Sequence, residues 1–259
     1  MKIFRFKLRD EILYGALEGK LLRELEGNPL ENPRPGKNTY SLAEVKVLPP
    51  VLPSKIICLA YNFPSLAAER GVKLPREPIF FFKPPSSMVS HLEPVMLPSG
   101  ARALVFQGEV GMVVGKRARK ISLEEAEKFI FGFTAVNDIT AVFSTPTYYQ
   151  GGKPKAYDTF TPTGPCVLRT QGEVNFKIKT FVNAKIRQAA STSGMRFTPS
   201  RVLWYLSRVM TLEPGDLVCL GTPAGAGNLR PGDRVDVQID GIGTLSNQII
   251  KEEDHEDFS

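Results

Sequence analysis

Histidine is scarce in this 259-residue chain: there are two, His91 and His255, and the second lies in the charged stretch KEEDHEDFS. A Ser-His-Asp or Cys-His mechanism therefore has only His91 to draw on, no HExxH pair exists, and a histidine cage around a metal is excluded. Cysteine is almost as rare. Cys58, Cys166 and Cys219 stand singly inside IICLAY, GPCVLR and LVCLG without CxxC spacing, so buried thiols are expected rather than disulfides or a zinc site. Any metal must then be held by oxygen. Long apolar runs are missing too: nothing approaches the ~18 residues of a membrane span. The start, MKIFRFKLRDEILYG, mixes charge into its apolar positions, unlike a signal peptide. A cytoplasmic protein without a membrane partner is the expectation.

What is present suits a folded enzyme-sized body. The composition is 42% hydrophobic and 23% charged, enough to build a large core. The formal charge is +6, but residues 251–259 hold one Lys against three Glu and two Asp, a charge of −4, which leaves +10 on the remainder. Such a field draws small anions as readily as nucleic acid. The densest basic run, Lys116, Arg117, Arg119 and Lys120, follows Gly115 and reads as a solvated turn. No nucleic-acid motif accompanies it, and aromatics do not interleave with the charges, so nucleic acid is not an expected partner.

The string VLPPVLPSK puts a boundary near residue 52, because closely spaced prolines discourage both helix and central strand. Residues 1–52 read as a small β region (KIFRFKL, ILYGAL, KLLRELE) that must pack on the larger part, residues 53–250, with 251–259 an acidic tail. KIICLAY and IFFFK read as strands, and Pro64 opens a short helix that ends by Gly71. Ser122 and Glu125 have capping-box spacing before a helix expected to end at Gly132, and FTAVNDIT resumes as a strand carrying Asp138. From Thr198-Pro199 a helix stripes Val202, Leu203, Leu206, Val209 and Met210 on one face. DRVDVQID-GIGTLSNQII reads as a hairpin about Asp240-Gly241. Many short strands with few helices indicate an α+β, mostly β, chain.

LVFQGEVGMVV, residues 104–114, reads as one strand with Leu104, Phe106, Val110, Met112 and Val114 on one face and Val105, Gln107, Glu109, Gly111 and Val113 on the other. Gln107 and Glu109 share that second face, and sheet pairing can bring Asp138 beside them. Three oxygen donors suit Mg²⁺ or Mn²⁺. The same spacing also marks the solvated face of a half-buried strand. GTPAGAG, residues 221–227, lacks the Lys-Ser or Lys-Thr of a phosphate loop and reads as a tight turn; His91 reads as structural.

The ordered segments KIICLAYNF…AAERG, EPIFFFKPPSS, FQGEVGMVVGKRAR, GFTAVNDIT, KAYDTFTPTGP, FTPSRVLWYLSRVMTLEPGD and GTPAGAG resemble the fumarylacetoacetate hydrolase family, including its diene-dioate isomerase and acylpyruvase types. The resemblance implies a mixed β-sandwich or roll, a homodimer, one Mg²⁺ or Mn²⁺ per site, and 2-oxo acids, β-diketones or related enols as substrates. It further implies that Glu109 and Asp138 are metal ligands, that Lys155 in its KxxDTF context is catalytic and substrate-binding, and that Thr222 contacts substrate.

Several positions depart from the family pattern. Gln107 stands where a first ligand glutamate is expected, removing one negative charge and implying weaker or more substrate-dependent metal binding. The family's catalytic His-Glu pair reads Leu66 and Glu69, Phe63 follows Asn62 in place of another aromatic, and Val142 replaces a frequent arginine. With its histidine partner gone, Glu69 is the remaining candidate base. Isomerisation, decarboxylation or dehydration of a 2-oxo or 2-hydroxydienoic acid is therefore expected over C–C hydrolysis, which needs activated water. The alternative is a degenerate member that binds a 2-oxo acid without turnover. A lid is expected between Asp138 and Lys155, in AVFSTPTYYQGGKP.

Overall fold

The computed structural model describes residues 1–144, 152–170 and 172–252. Residues 145–151 of the expected lid and 253–259 of the expected tail lie outside the described residues. The fold is mostly β, with mixed sheets and few helices. The main sheet runs, neighbour to neighbour, Arg34–Ser41, Leu21–Glu26, Glu11–Glu18, Lys2–Leu8, Thr161–Arg169, Ile130–Asn137, Gly108–Val114, Leu217–Cys219, Ile56–Ala60 and Ile79–Lys83. The N-terminal strands thus join the rest by edge pairing, with Lys2 opposite Leu168 and Ile3 opposite Val167. A five-stranded sheet (Lys185–Ser191, Lys177–Val182, Arg234–Ile239, Gly243–Lys251, Val95–Leu97) packs against it, and a separate three-stranded one is built from Thr140–Phe143, Ala101–Phe106 and Gly227–Leu229. Phe106, Met112, Phe133, Ile178, Val237 and Leu245 belong to the one apolar cluster that joins these layers.

The single strand expected over 104–114 is two strands, Ala101–Phe106 and Gly108–Val114, in different sheets. Gln107 is the break: its N–H turns to the Asn137 side chain at 2.9 Å. Alternation survives the break, since Leu104, Phe106, Val110, Met112 and Val114 all enter the main cluster while Val113 enters a second one. Gly108–Val114 is buried on both faces, so Glu109, 1% exposed, is not on a solvated face. The strand Ile130–Asn137 ends one residue short of Asp138.

The helices Pro64–Glu69 and Pro199–Val209 form where expected, each with proline in its first turn, where a missing N–H costs nothing. The stripe of the second ends early: Leu206 is buried, but Val209 is 52% exposed, and Met210 is extended. The helix expected before Gly132 is only a short 3₁₀ turn, Ala126–Phe129, and Gly132 lies within a strand. No side chain caps it, and only Ala126 is buried there, so a helix would have had no apolar face to lay down, whereas Ile130, Phe131 and Phe133 all find burial in the sheet. The hairpin turns through Asp240–Ile242, with Ile239 opposite Gly243. All three cysteines are buried and free. His91 is half-buried and accepts the Ser246 N–H at 3.0 Å, a structural role. The basic run is an exposed turn in which Arg119 donates to the Ser207 and Arg208 carbonyls at the end of the longer helix. Among the described residues no helix is long and apolar enough to cross a membrane.

Candidate active site

Antiparallel register brings the expected oxygen donors together. Gly108 pairs with Asn137, so Asp138, just past the strand, meets Gln107 across the gap and donates its N–H to the Gln107 carbonyl at 2.8 Å. Gln107, Glu109, Asp138, Lys155 and Thr222 line one cavity of about 350 Å³, walled by Leu59, Leu66 and Phe81. A wider open groove of about 940 Å³, between Met1, Lys116, Glu127 and Arg169, mixes lysines and glutamates on the surface and holds no such set.

Two ammonium groups converge on Asp138. Lys155, from the short helix Lys153–Ala156, donates to Asp138 Oδ2 and, at 2.7 Å, to Gln107 Oε1, with Phe81 beneath it. Lys83 is fully buried and places Nζ 2.6 Å from Asp138 Oδ1, 2.7 Å from the Phe160 carbonyl and 3.1 Å from the Ile139 carbonyl. Sequence reasoning missed Lys83. The available signal was a lysine closing an otherwise apolar strand, IFFFK, at the parity of Phe81.

The charges of the two carboxylates diverge. Burial works to raise Asp138, but Lys155 and Lys83 outweigh it and hold the carboxyl below its ordinary range. Glu109 is pushed up to about 8, by burial first and by the Asp138 charge second, with Lys155 and the Gly221 N–H offsetting only part. That N–H, 2.8 Å from Oε2, is the hydrogen bond Glu109 receives. A buried carboxylate with no salt-bridge partner among the described residues, beside an amide oxygen and a second carboxylate, is a donor set that fits a hard divalent cation. Among the described residues no three His, Cys, Asp or Glu side chains converge, because the third donor here is the Gln107 amide.

Thr222 is held by a closed ring of hydrogen bonds. Its hydroxyl donates to the Gly108 carbonyl at 2.9 Å and accepts from Gln188 Nε2 at 2.8 Å; Gln188 Oε1 accepts the Gly108 N–H at 3.1 Å. Gln188 Nε2 also reaches the Pro223 carbonyl at 2.8 Å. Gly108 is required here, because a Cβ would collide with the Thr180 hydroxyl of the facing sheet. Gln188, 1% exposed, therefore ties the loop carrying Thr222 to the backbone between Gln107 and Glu109. Nothing local in KIRQAAS announces this.

Glu69 is not brought into the cavity. Its Oε2 accepts the Gly225 N–H at 2.8 Å, and Ser65 Oγ accepts the Ala224 N–H at 3.3 Å, so the helix Pro64–Glu69 holds the 222–226 loop from outside. Leu66, at the position of the missing histidine, is wall. Phe63 is buried in the core, where its lack of a hydroxyl leaves nothing to satisfy.

Two family models cover the chain: fumarylacetoacetate hydrolase C-terminal over residues 55–250, and Rv2993c-like N-terminal over residues 1–50. Oxaloacetate tautomerase YisK of Bacillus subtilis is 39% identical over 229 residues, covering 83% of this chain and 76% of that protein. The crystal structure of 5-carboxymethyl-2-hydroxymuconate delta-isomerase from Mycobacterium smegmatis matches with a TM-score of 0.90 at 31% identity, covering 97% of this chain and 100% of that one. Maleylpyruvate hydrolase from Sphingobium sp. SYK-6, solved with manganese(II) and pyruvate, matches with a TM-score of 0.80 at 24% identity over 98% of this chain and 100% of that one, a likeness that carries the fold. With most of its length matched by one family model and whole-chain agreement in fold, the chain belongs to the fumarylacetoacetate hydrolase family of enzymes.

Proposed function

We propose that the chain is a divalent-metal-dependent enzyme that interconverts the keto and enol forms of a 2-oxo acid, or decarboxylates one, rather than hydrolysing a C–C bond. The observation that carries this is the convergence of Gln107, Glu109 and Asp138 with Lys155 in one cavity whose wall holds Leu66 instead of a base. Mg²⁺ or Mn²⁺ held by the three oxygens would act as a Lewis acid on the oxo group. Lys155 adds a positive charge beside Gln107 and Asp138, where enolate charge would develop, and its ammonium is a proton carrier within the cavity. Lys83 holds Asp138 from behind, so that Asp138 keeps one oxygen toward the cavity. Leu59, Leu66 and Phe81 make one side of the cavity apolar, which would limit the access of water to an enolate there. Glu69 faces the loop, so among the described residues the carboxylate of that helix is not poised to activate a hydrolytic water.

The tautomerase and the delta-isomerase among the similar proteins support proton-transfer chemistry on enols as the class. A homodimer belongs to the same proposal, supported by the strand Ile79–Lys83, which ends the main sheet and exposes about half of Ile79 and Phe82.

A thermal melt of metal-stripped protein tests this, with Mg²⁺ or Mn²⁺ added in the presence and absence of oxalate, a mimic of a metal-chelated enolate. Ligand at about 100 times its dissociation constant adds roughly 2.7 kcal/mol, a shift of several degrees. Metal and oxalate should stabilise together more than either alone, and oxaloacetate ketonisation should require the metal. Stabilisation without turnover of any enol acid would mean a binding protein; no stabilisation would defeat the metal site itself.

A further inference from the structure

A separate cavity, of about 480 Å³, lies away from the one with Glu109 and Asp138 on its floor and the Glu69 latch outside its rim, and the two share no lining residue. It lies where residues 1–50 meet residues 55–250, the spans of the two family models. Phe4, Leu42, Val45 and Val47 wall it on the first side, and Leu92 and Pro165 on the second. That size and lining suit a small molecule, provided a few polar groups give it an orientation.

The turn that carries Leu92 is braced and strained. Asn247, 3% exposed, donates to the Ser90 carbonyl at 2.8 Å and to the Glu93 carbonyl at 2.7 Å, and the Leu92 N–H donates to the Ser246 carbonyl at 2.8 Å. Held this way, Leu92 has a φ of 68°, a left-handed conformation that a bulky side chain disfavours and that Gly or Asn adopts at less cost. Leu92 is also 70% exposed, so burial within the chain does not offset that strain. A fixed apolar group lining an open cavity is instead a contact for something that enters it.

The polar groups set the chemistry. His91 Nδ1 accepts the Ser246 N–H at 3.0 Å, and burial, with the Arg234 charge next, holds the ring below its ordinary range, so at pH 7 it is neutral with its proton on Nε2. Among the described residues that N–H meets no acceptor. Lys46 Nζ lies 2.5 Å from Glu93 Oε1, and Glu93 Oε2 accepts the Ser90 N–H at 3.2 Å, so the two charges beside the cavity cancel. The lining thus offers apolar surface, one neutral donor and no net charge. We infer that this cavity is a second binding site, for a small uncharged molecule with an apolar body and one carbonyl oxygen, a ketone, ester or lactone, that accepts from His91 Nε2. A charged ligand would lose hydration against apolar walls, where Lys46 and Glu93 already neutralise each other.

The test titrates the full chain with 6-propionyl-2-dimethylaminonaphthalene, an uncharged naphthyl ketone whose emission moves to the blue in apolar surroundings. The dye is then displaced with 2-acetylnaphthalene, 2-ethylnaphthalene and 2-naphthoate, which share a body and differ in acceptor and charge. Binding should saturate at one ketone per chain, with 2-acetylnaphthalene severalfold tighter than 2-ethylnaphthalene and about tenfold or more tighter than 2-naphthoate. Leu92→Asn, which suits the left-handed backbone, should weaken the dye severalfold, and Leu92→Asp about tenfold or more. The chain has two histidines, so the imidazole NMR signal of His91 should move with 2-acetylnaphthalene while that of His255 stays, His255→Gln assigning the pair. Oxalate with Mn²⁺ should leave dye affinity unchanged, whether or not the carboxylate floor binds metal. Absence of saturable binding, binding that both Leu92 substitutions leave intact, displacement by oxalate with Mn²⁺, or an unmoved His91 signal would overturn the site. Tighter binding of 2-naphthoate than of 2-acetylnaphthalene would overturn the ligand class.

Discussion

The strand Gly108–Val114 has a buried carboxylate near each end, and the two are treated in opposite ways. At its far end Asp216, whose carbonyl accepts the Val114 N–H, is fully buried. It accepts hydrogen bonds from Ser54 N and Oγ, Lys55 N and Glu213 N, and pairs with Lys55 Nζ at 2.6 Å. At the near end Glu109 accepts one N–H, from Gly221, and sits beside another carboxylate. Burial is nearly the same; satisfaction is not. A buried charge with every lone pair engaged is a fastener, whereas one left short of partners is unstable by itself and is a place for a cation to act.

The largest effect that tests this contrast is on the fastener. Asp216→Ala leaves Lys55 and four donors without their acceptor and should cost about 3 kcal/mol or more in urea unfolding, near the lower end for a broken buried pair because Lys55 retains some solvent contact. Affinity for Mn²⁺ with oxalate should stay within about twofold, since nothing at Glu109 depends on that turn. A parallel collapse of metal affinity in protein that is still folded would mean that the two ends are not independent.

Substituting the other carboxylate should give the reverse pattern. Glu109→Gln keeps the shape, removes the charge, and should lower Mn²⁺ affinity on the order of 100-fold while leaving the metal-free fold no weaker. The pH dependence follows from the sign of the shift. Glu109 binds its proton more tightly folded than unfolded, about 8 against 4.5, so its contribution is fully present below pH 4.5 and is lost as pH rises through about 8. Melts of metal-free wild type should therefore fall relative to Glu109→Gln across that window, and Mn²⁺ should cancel the fall in wild type only. The opposite shift of Asp138 acts below pH 3.8, outside this range.

These contrasts also mark what the sequence made legible. Gln107, Glu109 and Asp138 were readable because strand period and antiparallel pairing are local rules with few solutions, and the alternation held even where the strand broke at Gln107. Lys83 and Gln188 were not, because their partners lie 55 residues away at Asp138 and 80 residues away at Gly108; IFFFK marks Lys83 as out of place in an apolar strand but does not name its partner, and KIRQAAS marks nothing. The helix expected before Gly132 failed for a related reason. Capping spacing is a weak local preference, and the pull of Ile130, Phe131 and Phe133 into the sheet overrode it. Motif spacing located Glu69 but not the direction of its carboxylate.

That direction sets the smallest expected effect, and it is the sharpest test of the division between floor and rim. If Glu69 only latches the loop, Glu69→Gln keeps an acceptor for the Gly225 N–H, and turnover should change by no more than a few-fold with stability within about 1 kcal/mol of wild type. Glu69→Ala releases the loop that carries Thr222, so KM should rise several-fold while kcat holds, because substrate would be gripped less well while the proposed role of Lys155, which contacts neither Glu69 nor that loop, is untouched. A general base would behave otherwise: both substitutions would lower kcat by a factor of ~100 or more and remove the acidic limb of its pH profile. Such a result would require the carboxylate to leave Gly225 and swing past Leu66 into the cavity on substrate binding, and the assignment of Glu69 to the rim would have to be given up.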